Sequence, residues 1–350
     1  MKACNHTFWI GGETQNNQRF ILHTNKLIEL LEESQTLNQQ RPSLFVLIGN
    51  TRKSQALKEI ISNPNPNQRK WRRACGEIHL QLTQSAADSR PILISDGDLT
   101  ARSFSSKSVS QNCHAINREA IVDSALDILP SSHHLSAQIY ANLLLPFTDV
   151  FCFFSADLGG LRSIARHISL WLDSTPTPNI PKDTFPQILI VVDRTSTTKE
   201  KELKLWFLQL VSSYTTNNFQ DLFSGLQMYS LPTQTMPENK RYRQLKSRLL
   251  SLSNGVRKSR AENHLSFKAE HFNAFFRLAC KHFIKKIPEP FDFVRASRQR
   301  GHIREDLGQH LFNVVKKLTA TQDVLKVAVP IIASTFFLNN YPPNSPGRVH

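Results

Sequence analysis

No CxxC pair, no apolar leader and no long apolar run occurs in these 350 residues. Each absence excludes a class. The five cysteines (Cys4, Cys75, Cys113, Cys152 and Cys280) are odd in number and widely spaced, so no disulfide framework is expected. A reducing, intracellular and cytoplasmic setting fits them best. A membrane-spanning helix needs about 18 unbroken apolar residues. The longest apolar stretch, 327–338, has twelve residues and includes Pro330, Ser334 and Thr335. Residues 1–12 hold one lysine and no apolar h-region, so no secretory signal is read there. Hydrophobic residues still make up 40% of the chain, which supplies one large core or two smaller ones and excludes disorder along its whole length.

Acidic residues are scarce in one region. The net charge is +15, but residues 1–235 carry 22 Lys/Arg against 20 Asp/Glu, whereas residues 236–350 carry 21 against 8. An acidic protein domain, an anionic lipid surface or nucleic acid would therefore be met first by the last third. A second basic cluster, Arg69-Lys70-Trp71-Arg72-Arg73, could meet phosphates in the same way. No zinc-finger or RNP sequence singles out nucleic acid, and a solvated basic face explains the same charge.

The first forty residues are polar, with one amphipathic stretch at 25–34 that reads as a short helix. From Pro42 the texture changes. Solid apolar runs at 43–48, 91–95, 149–154 and 187–192 read as buried strands, 77–82 alternates like a half-exposed strand, and 226–231 is a last short one. Helical patterns lie between them at 54–61, 115–129, 135–145, 161–172 and 199–213. This order predicts an α/β fold, a mostly parallel sheet with helices on both faces. The runs at 44–48, 92–95, 150–154 and 188–192 should lie side by side and parallel, with 77–82 at the edge. Beyond Pro232 only helical patterns occur, at 241–252, 266–287, 303–318 and 323–338. The expected organisation is an extension over 1–41, an α/β domain over 42–235, a basic α-helical domain over 236–338 and a linker-like tail over 339–350.

In open parallel sheets ligands sit beyond the carboxyl ends of the strands. That places Gly49-Asn50-Thr51-Arg52-Lys53-Ser54, Asp96-Gly97-Asp98 and Asp193-Arg194 at the candidate site. A phosphate-binding loop needs backbone N–H groups, a lysine against the phosphate charge and a hydroxyl for magnesium, with a carboxylate on a neighbouring strand. Gly49, Asn50, Thr51, Lys53 and Ser54 suit the first roles, Asp96 and Asp98 the last, and Asp193 the base-reading position. Over 43–231 the order resembles a Ras-like or translation-factor-like GTPase, that is, a P-loop NTPase domain. That resemblance implies GTP or ATP with magnesium on Ser54 and Asp96. The sequence departs from the family pattern in three ways. The loop is two residues short of G-x-x-x-x-G-K-S, Arg52 replaces its last glycine, and Asn-Lys-x-Asp shrinks to Asp193 followed by Arg194.

Plainer readings stand beside these. Asp96 and Asp98 also suit turns and caps. Asp157-Leu158-Gly159-Gly160 spells Asp-x-x-Gly, but an N-cap before the helix at 161–172 explains it more simply. Cys113-His114 with His133-His134 matches no zinc spacing, so no metal site is expected there. No Ser–His–Asp or Cys–His set stands out, so no catalytic residue is assigned.

A closer resemblance is carried by 44–57 (LFVLIGNTRKSQAL), 90–99 (RPILISDGDL), 145–172 (LPFTDVFCFFSADLGGLRSIARHISLWL) and 329–343. These stretches, and 147–166 above all, look like the region upstream of the catalytic domain in large fungal patatin-like, lysophospholipase-like phospholipases. The hydrolase half of that family needs a Gly-x-Ser-x-Gly turn, which this sequence lacks. The resemblance implies an accessory portion alone, either a truncated product or a fragment. Its expected role is non-catalytic, regulatory or scaffolding within a patatin-like phospholipase system, with residual nucleotide binding left open. An active NTP-binding switch and a polyanion-binding module are the alternatives.

Overall fold

The computed structural model describes residues 7–16, 18–32, 40–61, 76–83, 91–99, 116–122, 132–193, 199–232, 236–285, 287–298, 307–318 and 324–340. Nine strands occur among them: β1 (Phe8–Gln15), β2 (Gln18–His23), β3 (Ser43–Ile48), β4 (Glu77–Thr83), β5 (Ile92–Gly97), β6 (Asn117–Ala120), β7 (Val150–Phe154), β8 (Gln187–Asp193) and β9 (Gly225–Leu231). The helices are α1 (Lys26–Glu32), α2 (Thr51–Ile60), α3 (Ser132–Gln138), α4 (Leu161–Ser174), α5 (Lys199–Ser212), α6 (Glu238–Glu262), α7 (Ala269–Ile284), α8 (Phe293–Arg298), α9 (Leu307–Leu318) and α10 (Val324–Asn340). No helix among the described residues is long and apolar enough to cross a membrane.

All nine strands join one sheet in the order β6-β2-β1-β4-β5-β3-β7-β8-β9. The four apolar runs do lie side by side and parallel, and β9 continues them. The other half is antiparallel: β4 on β5, β1 on β4, β2 on β1 and β6 on β2. The fold is thus α/β with a mixed sheet, not the mostly parallel one expected. The reason lies in the connections. Parallel neighbours need a crossover, whereas β1 and β2 are joined by a tight turn in which Asn16 takes a left-handed φ of 49°.

Three expectations are corrected. The first forty residues supply two strands besides the short helix, and Trp9, Ile10 and Ile21 there are fully buried. β4 is not an edge strand, because β1 covers its outer side. Its alternation records buried polar residues, not solvent: Glu77, His79 and Gln81 are all buried, and the Thr7 hydroxyl meets His79 Nδ1 at 3.0 Å. Within the pattern at 115–129, residues 117–120 form β6, and 123–129 lie outside the described residues.

Successive side chains of a strand face opposite ways, and the core divides accordingly. Leu44, Val46 and Ile48 pack with α4, α5 and α7, while Phe45 and Leu47 pack with α2 and α6. β7 divides likewise, with Phe151 and Phe153 on the first face and Val150, Cys152 and Phe154 on the second. This two-sided burial is why the central strands read as unbroken apolar runs. Each fully buried side chain of this size is worth about 1.5–3 kcal/mol. Cys152 and Cys280 are free thiols, both buried.

The basic helix α6 is fastened beneath the sheet through Tyr242, Leu245, Leu249 and Leu252. At its far end Arg260 Nη1 donates to Asp149 Oδ1 at 2.8 Å, and its other nitrogens donate to the carbonyls of Thr148 and Thr184. The Ser253 hydroxyl donates to Asp149 Oδ2 at 2.8 Å. Burial raises the Asp149 pKa against the opposing pull of Arg260, Ser253, Arg257 and Ser43, and burial lowers that of Arg260.

Candidate functional site

β3 ends at Ile48, and the chain turns at Gly49 and Asn50 directly into α2. A helix start leaves backbone N–H groups without intrahelical partners and carries a positive dipole end, so it attracts an anion. Here the chain supplies that anion itself. Asp157 Oδ2 accepts from the N–H of Asn50 at 2.7 Å and of Lys53 at 3.0 Å, and Oδ1 accepts from the N–H of Arg52 at 3.0 Å. The carboxylate thereby occupies the place where a phosphate-binding loop would wrap a phosphate.

Asp157 closes a 3-10 turn (Ser155–Asp157) that follows β7, and β7 lies beside β3. Gly159 and Gly160 then take φ of 78° and 91°, conformations that glycine adopts without steric cost, and lead into α4. Gly160 occupies the N-cap of α4, with no side-chain cap. Asp157 therefore caps α2, not the helix at 161–172 that its sequence position suggested. Gly49 has a matching role. A β-carbon there would stand 2.8 Å from Asp157 Oδ2 and 3.0 Å from Phe154 Cβ, so only glycine admits the carboxylate this closely.

Lys53 points inward, not towards an open phosphate site. Its Nζ lies 2.7 Å from Asp96 Oδ1 and donates to the Gly97 carbonyl at 2.6 Å. The two side chains are 4% and 0% exposed, so the pair is sealed from solvent. Tyr140 closes the same floor. Its hydroxyl donates to the Asp98 carbonyl at 3.2 Å, and a β-carbon on Gly97 would collide with it. Burial, then the charges of Asp98 and Asp96, holds the Tyr140 pKa well above the usual phenol value, so it stays a proton donor.

The remaining candidates are engaged elsewhere. The Ser54 hydroxyl donates to the Asn50 carbonyl at 2.7 Å, and Thr51 is exposed at the first turn of α2. The Asp98 carboxylate accepts from the Gly76 N–H at 3.3 Å. Asp193, at the end of β8, accepts from Arg52 Nη2 at 3.1 Å. The structure thus brings Gly49, Asn50, Lys53, Ser54, Asp96 and Asp193 to one end of the sheet. As arranged, they do not fit magnesium with a nucleotide. The amides hold Asp157, Asp96 holds Lys53, and the Ser54 hydroxyl is turned back on its own helix.

Asp157 is the residue that sequence reasoning misplaced. Its signal was present as the Asp-x-x-Gly at a strand end, but its partner lies 107 positions earlier. The cluster at 69–73, Cys113-His114, Arg194 and the tail from 341 lie outside the described residues, as do the side chains of His133 and His134. Among the described residues no group of three or more His, Cys, Asp or Glu could hold a metal ion. Set against known protein families and against curated proteins, the chain matches none.

Proposed function

We propose that this chain is a non-catalytic regulatory or scaffolding region of a patatin-like phospholipase system, built on a P-loop-like, GTPase-like frame that works without nucleotide. The observation that carries the nucleotide-independent part is Asp157 on three N–H groups at the start of α2, those of Asn50, Arg52 and Lys53. A nucleotide would have to displace a carboxylate that is already positioned, and each hydrogen bond to it is worth about 1.5–3 kcal/mol. It would also have to draw Lys53 away from Asp96, leaving a buried carboxylate without its counter-charge. Both demands oppose an active NTP switch.

The GTPase-like frame is supported by strand order. The antiparallel hairpin β4–β5 lies on one side of β3, and β7, β8 and β9 follow in parallel on the other, with the Lys-Ser loop after β3. The GTPase resemblance rests on a strand with its Lys-Ser loop, a hairpin ending in Asp-Gly-Asp and a later strand ending at Asp193, and this order is compatible with it. β1, β2 and β6 are additions beyond it. The phospholipase association is supported by the resemblance of the segments at 44–57, 90–99 and 145–172, and the scaffolding role by the missing Gly-x-Ser-x-Gly turn.

Calorimetry with GTP and ATP in the presence of magnesium tests the first part, with no binding expected to either. Tight, guanine-selective binding with turnover would favour the switch instead. A patatin-like hydrolase encoded in frame with this chain or beside it tests the second. Its activity on lysophospholipid vesicles should change when the chain is added. No association and no change in rate would remove the phospholipase reading.

A further inference from the structure

A helix that is apolar around its whole circumference belongs in a core or against lipid, because water solvates neither side of it well. α10 has that composition: Lys326 is the one charged residue among its seventeen. Yet Val327, Val329 and Ile331 are exposed, Val329 to 55%. α9 packs against α10 and leaves Phe312 61% exposed. Ten large hydrophobic side chains are exposed among the described residues, and four of them stand in these two helices. Single exposed apolar residues are ordinary, but a concentration of them marks an interaction surface.

The buried and half-buried positions show which stripe of each helix is already used. They are Ala328 and Ile332 in α10, and Leu311, Val314 and Val315 in α9. Val327 and Ile331, one turn apart, stand on one side of the α10 stripe and Val329 on the other. Whichever side lies beside Phe312 is therefore apolar. Each apolar tip also has a cation on its own face. Phe312 comes one turn before Lys316, and Val329 three positions after Lys326, and both lysines are exposed, as is Lys317. Neither helix contains Asp or Glu. Asp323, between them, is the one acidic residue in the sequence from 307 to 350.

We propose that the α9–α10 pair is a membrane-docking element that lies in the plane of an anionic lipid surface. Phe312 and the adjoining apolar side of α10 enter the upper acyl chains. The lysine stems lie along them and carry their ammonium groups to the lipid phosphates. Charge selects the surface: two helices without a carboxylate meet no repulsion from anionic headgroups, and each lysine near them strengthens attachment about fivefold. In-plane docking suits the helices themselves. Neither is long and apolar enough to cross a bilayer. Pro330 also removes a backbone donor inside α10, a break that hydrated headgroups satisfy more readily than hydrocarbon does. The inference goes beyond the proposed function and rests on neither the nucleotide nor the phospholipase reading.

Surface-pressure measurements with the full chain beneath a lipid monolayer separate insertion from adhesion, since charge attraction alone, such as α6 supplies, does not expand the film. The chain should raise the pressure of a mixed phosphatidylcholine and phosphatidylserine film and leave a phosphatidylcholine film nearly unmoved. Phe312→Gln removes an exposed apolar side chain without changing charge. It should weaken partitioning into mixed vesicles by roughly tenfold and lower the pressure rise with it. Val329→Gln combined with Ile331→Gln should do the same from α10, on both of its sides. All three positions are exposed, so the melting temperature without lipid should hold. Lys316→Gln with Lys317→Gln should weaken partitioning by at least about tenfold at low salt. No pressure rise on the mixed film, or a rise unchanged in both apolar variants, would overturn the proposal. Self-association without lipid that Phe312→Gln abolishes would also overturn it, by assigning the face to a second copy of the chain.

Discussion

Lys53 Nζ and Asp96 Oδ1 are 2.7 Å apart inside the end of the sheet, and neither side chain reaches solvent to a useful extent. A buried pair of this kind behaves asymmetrically. Removing one partner leaves an uncompensated charge, whereas removing both can be nearly neutral. Lys53→Ala should therefore cost about 3–5 kcal/mol. The double variant Lys53→Met with Asp96→Leu should cost much less. Urea unfolding of the single and double variants gives the comparison, and equal losses would show that the pair does not act as a unit.

Asp157→Ala removes the acceptor for three N–H groups at the start of α2. A lost helix cap typically costs about 0.5–2 kcal/mol. The vacated site should then accept inorganic phosphate. Added phosphate is expected to raise the melting temperature of the variant and leave the wild type unmoved. A variant that loses stability yet ignores phosphate would show that the amides need Asp157 itself.

The Asp149 pKa is raised in the folded protein, chiefly by burial. Its stabilising contribution is thus fully present below the ordinary carboxylate value and is lost as pH rises through the elevated folded one. Arg260 works against that rise, with its Nη1 2.8 Å from the carboxylate. Arg260→Met should push the Asp149 pKa higher still, so the variant should lose more stability than wild type on going from mildly acidic to neutral pH. Adding Asp149→Asn should flatten that difference. Unfolding free energies across the range decide it, and parallel pH profiles would refute the assignment.

The charge of residues 236–350 predicts salt-sensitive adhesion to anionic surfaces. On α6, Arg243, Arg248 and Lys258 are exposed. Co-sedimentation of the full chain with anionic vesicles should fall steeply between low and physiological salt, and neutral vesicles should bind little. Equal binding to both would remove the polyanion alternative.

The central strands were legible because they are buried on both faces, and Leu44, Phe45, Val46, Leu47 and Ile48 leave no polar gap to misread. β1 and β2 were not, since Gly11, Gly12, Thr14 and Gln15 dilute the apolar signal of Trp9 and Ile10. β4 misled for a related reason. Polar residues alternate along it, and a single sequence does not say whether water or another strand meets them. At the junction, Gly49, Lys53 and Asp96 were correctly placed together at the strand ends. Their roles were not readable, because the partner that fixes those roles, Asp157, is near only after β7 has aligned with β3.

Cys152 sits in the middle strands of the sheet, fully buried, with its thiol pKa pushed up by the surrounding apolar atoms. Cys280 lies in α7 under the same influence, with Glu119 adding to it. A thiol that is neither ionised nor reachable cannot be alkylated until its surroundings part. The rate at which a thiol reagent modifies Cys152 therefore clocks the opening of the sheet's centre, and that of Cys280 the detachment of α7. Among the described residues these two thiols form a two-channel timer for whether the layers come apart together or in turn.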